Sequence, residues 1–199
     1  MSKIDTINWS EFCIGDYFTA VRGSVKKMQT LEKGSTPVIA AARSRQGVAG
    51  FYSVVAPYCD KITISCNGVG CGSTFYHDYP FNINGDALVL IEKIKMTREV
   101  KMYLTCVFDG YFSRKYSYAE KCSPDKALKE VIKLPFKDGS PDWHYMEMYM
   151  RGVEAIVKNK LSLLVPHKPE LTIQDAASIT FNGANVTYID NSKNYSLEK

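Results

Sequence analysis

The stretch from Ser140 to Leu164 constrains the fold of this chain most, because its apolar residues recur at the spacing of one helix face. Ser140 is placed to cap such a helix, and Pro141 suits its first position. We therefore predict one long helix over 140–164. Its apolar stripe is expected to pair with a companion helix, although packing in the chain's own core would also explain it. The stripe comprises Trp143, Met146, Met150, Val153, Val157, Leu161 and Leu164.

Short apolar segments separated by glycine and polar residues precede this helix. Four of them, residues 37–42, 61–66, 73–76 and 86–92, have the length and composition of strands. After Thr97 the spacing changes, because apolar residues from Val100 to Tyr111 recur with a helical period. A shorter helix is expected from Ser123, with Pro124 at its first position, Val131 and Ile132 on its apolar side, and its end before Pro135.

These elements predict an α/β (α+β) fold, in which a mixed twisted sheet is followed by one long C-terminal helix and a short tail. The expected divisions are residues 1–139, 140–165 and 166–199. Pro166 and Pro169 should end the helix, and the tail from Leu171 to Asp190 is typical of a β-hairpin around Asn182 and Gly183.

Composition excludes several classes of protein. With 45% hydrophobic and 23% charged residues, the 199-residue chain is neither disordered nor fibrous. No apolar run approaches the roughly 18 residues of a membrane span, and the first residues lack the order of a signal peptide. We expect a cytoplasmic protein with reduced cysteines and no membrane partner. Cys66 and Cys71 are half of a zinc motif at most, so neither a metal nor a cofactor is expected.

Positive charge is concentrated in residues 20–61, which contain seven basic residues and two acidic ones. The net charge of this segment, +5, exceeds the +4 of the whole chain. The pattern is typical of a protein that binds a polyanion, and a solvated surface is the alternative. Lysines suit phosphates, whereas arginine and glutamine suit base edges. Asn67 can bind adenine, but asparagine before a glycine is more often a turn residue. The predicted contacts are Arg22, Ser24, Lys26, Lys27, Arg43, Ser44, Arg45, Gln46 and Asn67.

Motifs for catalysis are sparse. Neither a Walker-type phosphate loop, a Gly-x-Ser-x-Gly motif nor a His-Glu-x-x-His motif occurs. Asp86 followed by Glu99, Val100 and Lys101 has the residue order of a Mg²⁺-dependent nuclease, but residues two apart on a helix do not share a face. We therefore predict a protein that is not an enzyme. A nuclease or methyltransferase fragment, and a helix-mediated assembly protein without DNA binding, remain as alternatives.

Several segments carry a family resemblance in one order along the chain: WSEFCIGDYF, PVIAAARSRQGVAGFY, ITISCNGVGCGSTFYHDYPF, KYSYAEKCS and IKLPFKDGSPDWHYMEMYM. Together they resemble a target recognition domain of the DNA specificity (S) subunit of type I and related type IIB restriction-modification systems. The resemblance covers residues 9 to 160 and is most specific over Lys133 to Met150.

The resemblance implies a DNA-binding module without catalytic activity. In that family, two such domains joined by antiparallel helices read the two halves of a split target and position methyltransferase and nuclease subunits. The present sequence has one domain and one long helix. It is therefore a half-size subunit that pairs with itself, a fragment of a longer subunit, or a domain that pairs with a different half. The DNA word and the system, type I or type IIB, stay open.

Overall fold

The computed structural model describes residue 6, residues 9–164 and three short segments, 179–181, 184–188 and 195–198. The chain divides into two compact units, Met1–Val153 and Glu154–Lys199. In the first unit the strands are β1 (Trp9–Cys13), β2 (Phe18–Arg22), β3 (Lys33–Ile39), β4 (Val48–Tyr52), β5 (Lys61–Ser65), β6 (Thr74–His77), β7 (Asn82–Ile83), β8 (Ala87–Glu92), β9 (Val131–Lys137) and β10 (Ser140–Pro141). The helices are α1 (Ile14–Tyr17), α2 (Arg98–Lys115), α3 (Pro124–Leu128) and α4 (Trp143–Leu164), the last of which crosses the division. The mixed α+β class is as predicted.

A four-stranded antiparallel sheet in the order β2-β8-β5-β6 forms the centre of the first unit. The middle strand β8 is apolar throughout most of its length, because both of its faces are covered. Leu88 and Leu90 point into the main core beneath α2, and Ala87 and Val89 point into a second core on the opposite face. Three of the four predicted strands, 61–66, 73–76 and 86–92, are observed here as β5, β6 and β8.

The second core is closed by a smaller mixed sheet in the order β4-β3-β7. β3 is antiparallel to β4 and parallel to β7. The predicted strand 37–42 is observed as β3, but it begins four residues earlier and ends at Ile39. Ala40 and the residues after it leave the sheet and enter a polar loop.

Helix α2 covers the main core and follows the predicted pattern. The hydroxyl oxygen of Thr97 accepts a hydrogen bond of 3.4 Å from Val100 N–H, so the predicted cap is confirmed. Tyr103, Leu104 and Phe108 are buried along one side of the helix.

The expected helix beyond Leu128 was wrong. Ser123 caps α3, with Lys126 N–H donating to its hydroxyl at 3.2 Å, but the helix ends at Leu128. The following residues form β9, which pairs with β1. In β9, buried Ile132 and Leu134 alternate with exposed residues, a period of two that fits a strand and not a helix.

The predicted start of the long helix was also wrong. Ser140 and Pro141 pair with Phe136 and Lys137 as a small hairpin, so Ser140 is not available as a cap. Asp142 takes that role, because its side chain accepts a hydrogen bond of 2.9 Å from Tyr145 N–H. The helix α4 therefore begins at Trp143.

The apolar stripe of α4 divides into two parts. Trp143 makes edge contacts with Phe12 and Tyr17, and Met146 and Met150 are buried in the main core, so these three residues pack in the chain's own domain. Val153 is half-buried. Val157 and Leu161 are exposed by 49% and 54%. The side chain of Leu164 lies outside the described residues.

The second unit contains the end of α4 and three short strands, β11 (Ile179–Phe181), β12 (Ala184–Tyr188) and β13 (Tyr195–Glu198). They form an antiparallel sheet in the order β11-β12-β13. Pro166, Pro169 and the expected turn at Asn182 and Gly183 lie outside the described residues. Of the helices that the structure describes, none has the length and apolarity to cross a membrane.

Candidate nucleic-acid interface

The segments that follow β2, β3 and β5 all begin beside one turn, residues 84–86, which leads into β8. β2 and β5 flank β8 in antiparallel pairing, so their last residues lie beside its first. β3 is parallel to β7, which precedes the turn. We call this region, with the segments that follow β2, β3 and β5, the turn end. Its backbone hydrogen bonds are Gly23 N–H to Ala87 O (3.1 Å), Asn84 N–H to Ile39 O (2.9 Å) and Cys66 N–H to Asp86 O (2.7 Å).

Arg22 is fixed at the turn end. Its Nε donates a hydrogen bond of 2.7 Å to Gly85 O, which orients the exposed guanidinium. The next residue is glycine because a Cβ at Gly23 would lie 1.9 Å from the carbonyl oxygen of Asn84. Ser24, Lys26 and Lys27 follow as exposed residues, and Val25 is bonded to Ile83 O at 3.3 Å. The first predicted group of contacts therefore extends from the turn.

Arg43, Ser44, Arg45 and Gln46 form an exposed loop after β3, which we call the arginine loop. Its ends are closed by Ala40 N–H to Gly47 O at 2.9 Å and Gly47 N–H to Ser44 O at 3.0 Å. Arg45 and Gln46 have φ angles of 50° and 51°. Left-handed backbone costs a non-glycine residue roughly 1–2 kcal/mol, and such strain concentrates at functional sites.

Residues 67–72, the glycine loop, lie against the base of the arginine loop. A Cβ at Gly70 would come within 2.9 Å of the backbone of Ala42, so only glycine permits this approach. Gly68 lies beside Ala41, with 3.8 Å from its ideal Cβ position to the Ala41 side chain. The arginine loop and the glycine loop are therefore neighbours. The strand before each loop is hydrogen-bonded to the turn, and the turn also holds Arg22.

Asn67 is engaged within the protein. Its Nδ2 donates a hydrogen bond of 3.1 Å to Asp86 Oδ1, while Asn84 Nδ2 lies 3.4 Å from Asp86 Oδ2. The Oδ1 atom of Asn67 is buried and has no hydrogen-bond partner among the described residues. This geometry makes Asn67 a residue that holds the glycine loop, and its predicted contact with a base stays a prediction.

Not every predicted contact faces the same region. Gln46 lines a cavity of about 300 Å³ between β6 and α2, together with Tyr76, Asp78 and Arg98. Two lysines of the basic segment are also engaged elsewhere. Lys61 forms an ion pair of 2.8 Å with Glu92, and Lys33 lies over the ring of Tyr52.

Sequence reasoning missed Val69, at the tip of the glycine loop. Its side chain is 92% exposed, although it lies next to the arginine loop. The sequence signal that could have identified Val69 is its position between two glycines, two residues after the predicted contact Asn67.

The acid, acid and lysine order of a nuclease is not assembled in the structure. Asp86 directly precedes β8. Lys101 forms ion pairs with Asp60 and with Glu92, which is the last residue of β8. A six-residue strand is about 20 Å long, so Asp86 and Lys101 lie at opposite ends of β8. Burial of Asp60 would raise the pKa of its carboxyl, but hydrogen bonds from Lys101 and Tyr76 outweigh burial and lower it. The buried lysine therefore serves an internal ion-pair network.

The described residues contain no group of three or more His, Cys, Asp or Glu side chains that could hold a metal ion. Cys66 and Cys71 are buried in the main core with Cys122, and all six cysteines are free thiols. Packing accounts for the placement of the three buried thiols.

A family model described as the type I restriction modification DNA specificity domain matches residues 6–160. A curated relative, the "Type II restriction enzyme BgcI specificity subunit S.BcgI" from Heyndrickxia coagulans, is 26% identical over 157 residues. The match covers 77% of this chain and 46% of the relative, so the chain spans about half of that protein.

Solved structures show the same fold. The S subunit of a type I restriction-modification system from M. genitalium superimposes with a TM-score of 0.57 at 17% identity, covering 79% of this chain and 43% of that one. The HsdS subunit from Thermoanaerobacter tengcongensis gives a TM-score of 0.54 at 12% identity, with coverage of 84% and 42%.

Proposed function

Because the chain belongs to the family of type I restriction-modification DNA specificity domains, we propose that it recognises one half of a bipartite DNA sequence and performs no chemistry itself. The observation that carries this proposal is the turn end, where the turn fixes the exposed Arg22 and the exposed arginine loop lies with its base against the glycine loop. Duplex DNA offers such a surface both phosphates and base edges.

The residues of the turn end divide by chemistry. Arg22, Lys26 and Lys27 provide charge for phosphates, and Ser24 adds a hydroxyl. Arg43 and Arg45 provide guanidinium groups that fit the acceptors of guanine, and Ser44 adds a neutral hydrogen-bonding group. Gln46 would reach a base only after its side chain leaves the cavity between β6 and α2. Asn67 positions the glycine loop through Asp86. Phosphate contacts would set the register, and the arginine loop would supply the sequence preference.

The partners that we propose are double-stranded DNA, a methyltransferase subunit, a nuclease subunit and a second recognition half. The named relative is a specificity subunit of a restriction enzyme, which supports assembly with such subunits. The match of residues 6–160 to the DNA specificity domain supports the reading of one half of a target by this domain. Exposed Val157 and Leu161 on α4 supply an apolar surface for the second half, whether an identical copy or a different chain.

Selection from random duplexes tests the proposal directly. The purified chain is mixed with the library at low salt, with and without a methyltransferase subunit, and the bound duplexes are sequenced. Enrichment of one short word is expected in at least one arm. Recovery of unenriched duplexes in both arms would contradict the proposal. In parallel, the purified chain with Mg²⁺ should leave the selected duplex intact, and cleavage would overturn its assignment as non-catalytic.

A further inference from the structure

Val69 is an apolar side chain held at the tip of an ordered loop. It is 92% exposed, more than the valine at position 55, which is 80% exposed on the segment after β4. An isolated exposed valine is ordinary on a protein surface. Val69 differs because its loop is fixed in place beside the arginine loop.

The glycine loop is fixed by four hydrogen bonds, one within the loop and three to residues next to it or in the turn. Gly72 N–H donates to Ser65 O at 2.8 Å, and Ser73 N–H donates to Gly70 O at 2.9 Å. Cys71 N–H donates to Gly68 O at 3.2 Å, and Asn67 is bonded to Asp86. A loop held by this many hydrogen bonds presents its tip in one arrangement, at little further entropic cost on binding.

We propose that Val69 reads thymine, by packing its isopropyl group against the 5-methyl group of that base in the major groove. The inference rests on the proposed function and names a chemical group that the turn end recognises. The thymine methyl is the apolar group that a base edge presents in the major groove. A valine on a loop that lies against the base of the arginine loop therefore adds recognition of thymine to the polar contacts of that loop.

The chemistry of the side chain favours this contact over insertion between base pairs. Side chains that insert into base steps are the longer Phe, Leu, Ile and Met, or Pro. Valine is shorter, and its branched Cβ lies close to the backbone. Gly68 and Gly70 on either side carry no side chain that would keep the loop away from a base edge.

A double-mutant cycle, in which the Val69 side chain is truncated and the thymine methyl group is removed, tests the contact. The full chain and its Val69→Ala variant are titrated with the selected duplex, and with duplexes in which each thymine in turn is replaced by uracil. The unmodified chain should lose about fourfold in affinity at one thymine, the factor that corresponds to about 0.8 kcal/mol for one buried carbon. Val69→Ala should lose less than about twofold from the same replacement. Val55→Ala is the matched control, and it should retain the fourfold loss.

An equal loss at that thymine for Val69→Ala and for the unmodified chain would overturn the inference and leave the proposed function standing. Uracil without effect at every position would have the same meaning. If the chain selects no duplex sequence at all, both the proposed function and this inference fail. Because Val69 is exposed, the Ala variant should fold as the unmodified chain does, which its melting curve will check.

Discussion

The Nδ2 atom of Asn67 donates a hydrogen bond of 3.1 Å to Oδ1 of Asp86, and this bond joins the glycine loop to the turn that precedes β8. The two residues are separated by 19 positions in the sequence but lie at adjoining strand ends, since β5 pairs with β8. The bond makes one acidic residue a structural part of a surface that we propose binds a polyanion.

Replacing Asp86 with alanine should therefore weaken specific DNA binding, although the change removes a negative charge from the turn end. The partly buried amide of Asn67 loses its acceptor, which should cost about 1–3 kcal/mol in the free energy of unfolding. Urea denaturation and titration with the selected duplex measure the two effects. Asp16→Ala, at an exposed carboxylate in α1, should stay within about 0.5 kcal/mol. Tighter specific binding by Asp86→Ala would contradict the positioning role.

Lysine and arginine variants should separate phosphate contacts from base contacts. Lys26→Ala and Lys27→Ala should weaken binding to all duplexes alike and reduce the slope of log K against log salt by about 0.9 each. Arg43→Ala and Arg45→Ala should instead cost roughly 1–3 kcal/mol at one base position. Lys95→Ala, beyond the other end of β8, is the control and should change neither quantity. A uniform loss across all sequences for both arginine variants would refute base reading by the arginine loop.

Strain in the arginine loop predicts an unusual order of stability. Gln46→Gly should be more stable than Gln46→Ala by about 1 kcal/mol, because glycine adopts the left-handed backbone at this position without steric cost. Both variants lack the amide, so the comparison isolates the backbone. Chemical denaturation measures the difference. Equal stabilities would mean that the φ of 51° at Gln46 carries no strain.

Glu130 should give the first unit an acid-sensitive stability. Burial would raise the pKa of its carboxyl, but hydrogen bonds from Lys115, Tyr111 and Tyr116 outweigh burial and hold the pKa below the usual 4.5. A lowered folded-state pKa adds stability that is complete above pH 4.5 and is lost as the pH falls through the folded value.

Glu130→Gln should accordingly lose about 1–3 kcal/mol at neutral pH and show a smaller decline in acid. Denaturation at a series of pH values measures both features. Glu120→Gln, at an exposed carboxylate 3.6 Å from Lys126, should reproduce the pH profile of the unmodified chain. An unchanged acid decline in Glu130→Gln would show that another group is responsible.

The two parts of the α4 stripe should respond differently to lysine. Met150→Lys places a charge in the main core and should destabilise the first unit by roughly 3 kcal/mol or more. Val157→Lys is at an exposed position and should leave the melting temperature nearly unchanged while it weakens pairing. Sedimentation of the chain alone and with a candidate second half measures the pairing. A dimer mass unaffected by Val157→Lys would remove that residue from the pairing surface.

The sequence predicted the elements whose apolar pattern is long and regular. β5, β8 and α2 follow from periods of two and 3.6 residues, and Thr97 was identified because capping depends on neighbouring residues alone. The prediction of Ser140 as the cap was wrong because Ser140 pairs with Lys137 in a hairpin. That hairpin depends on β9. The apolar residues of β9 alternate over only a few positions directly after α3, and so short a pattern does not distinguish a strand from a continued helix.

The candidate site was predicted in part. Charge identified Arg22 and the arginine loop, but not the order of the strands that brings them to one turn. Lys61 carried the same charge and lies in an ion pair with Glu92 instead. Val69 was missed because an exposed apolar residue has no pattern in sequence, and its importance appears only once its neighbours in space are known.

Amide hydrogen exchange of the chain, with and without its selected duplex, tests the central claim most directly. We expect DNA to slow exchange in the loops of the turn end, residues 22–27, 40–47 and 66–72, and to leave the segments around Asp60 and Lys101 unchanged. Slower exchange around Asp60 and Lys101, with none in those three loops, would show that the duplex binds elsewhere and would contradict the account.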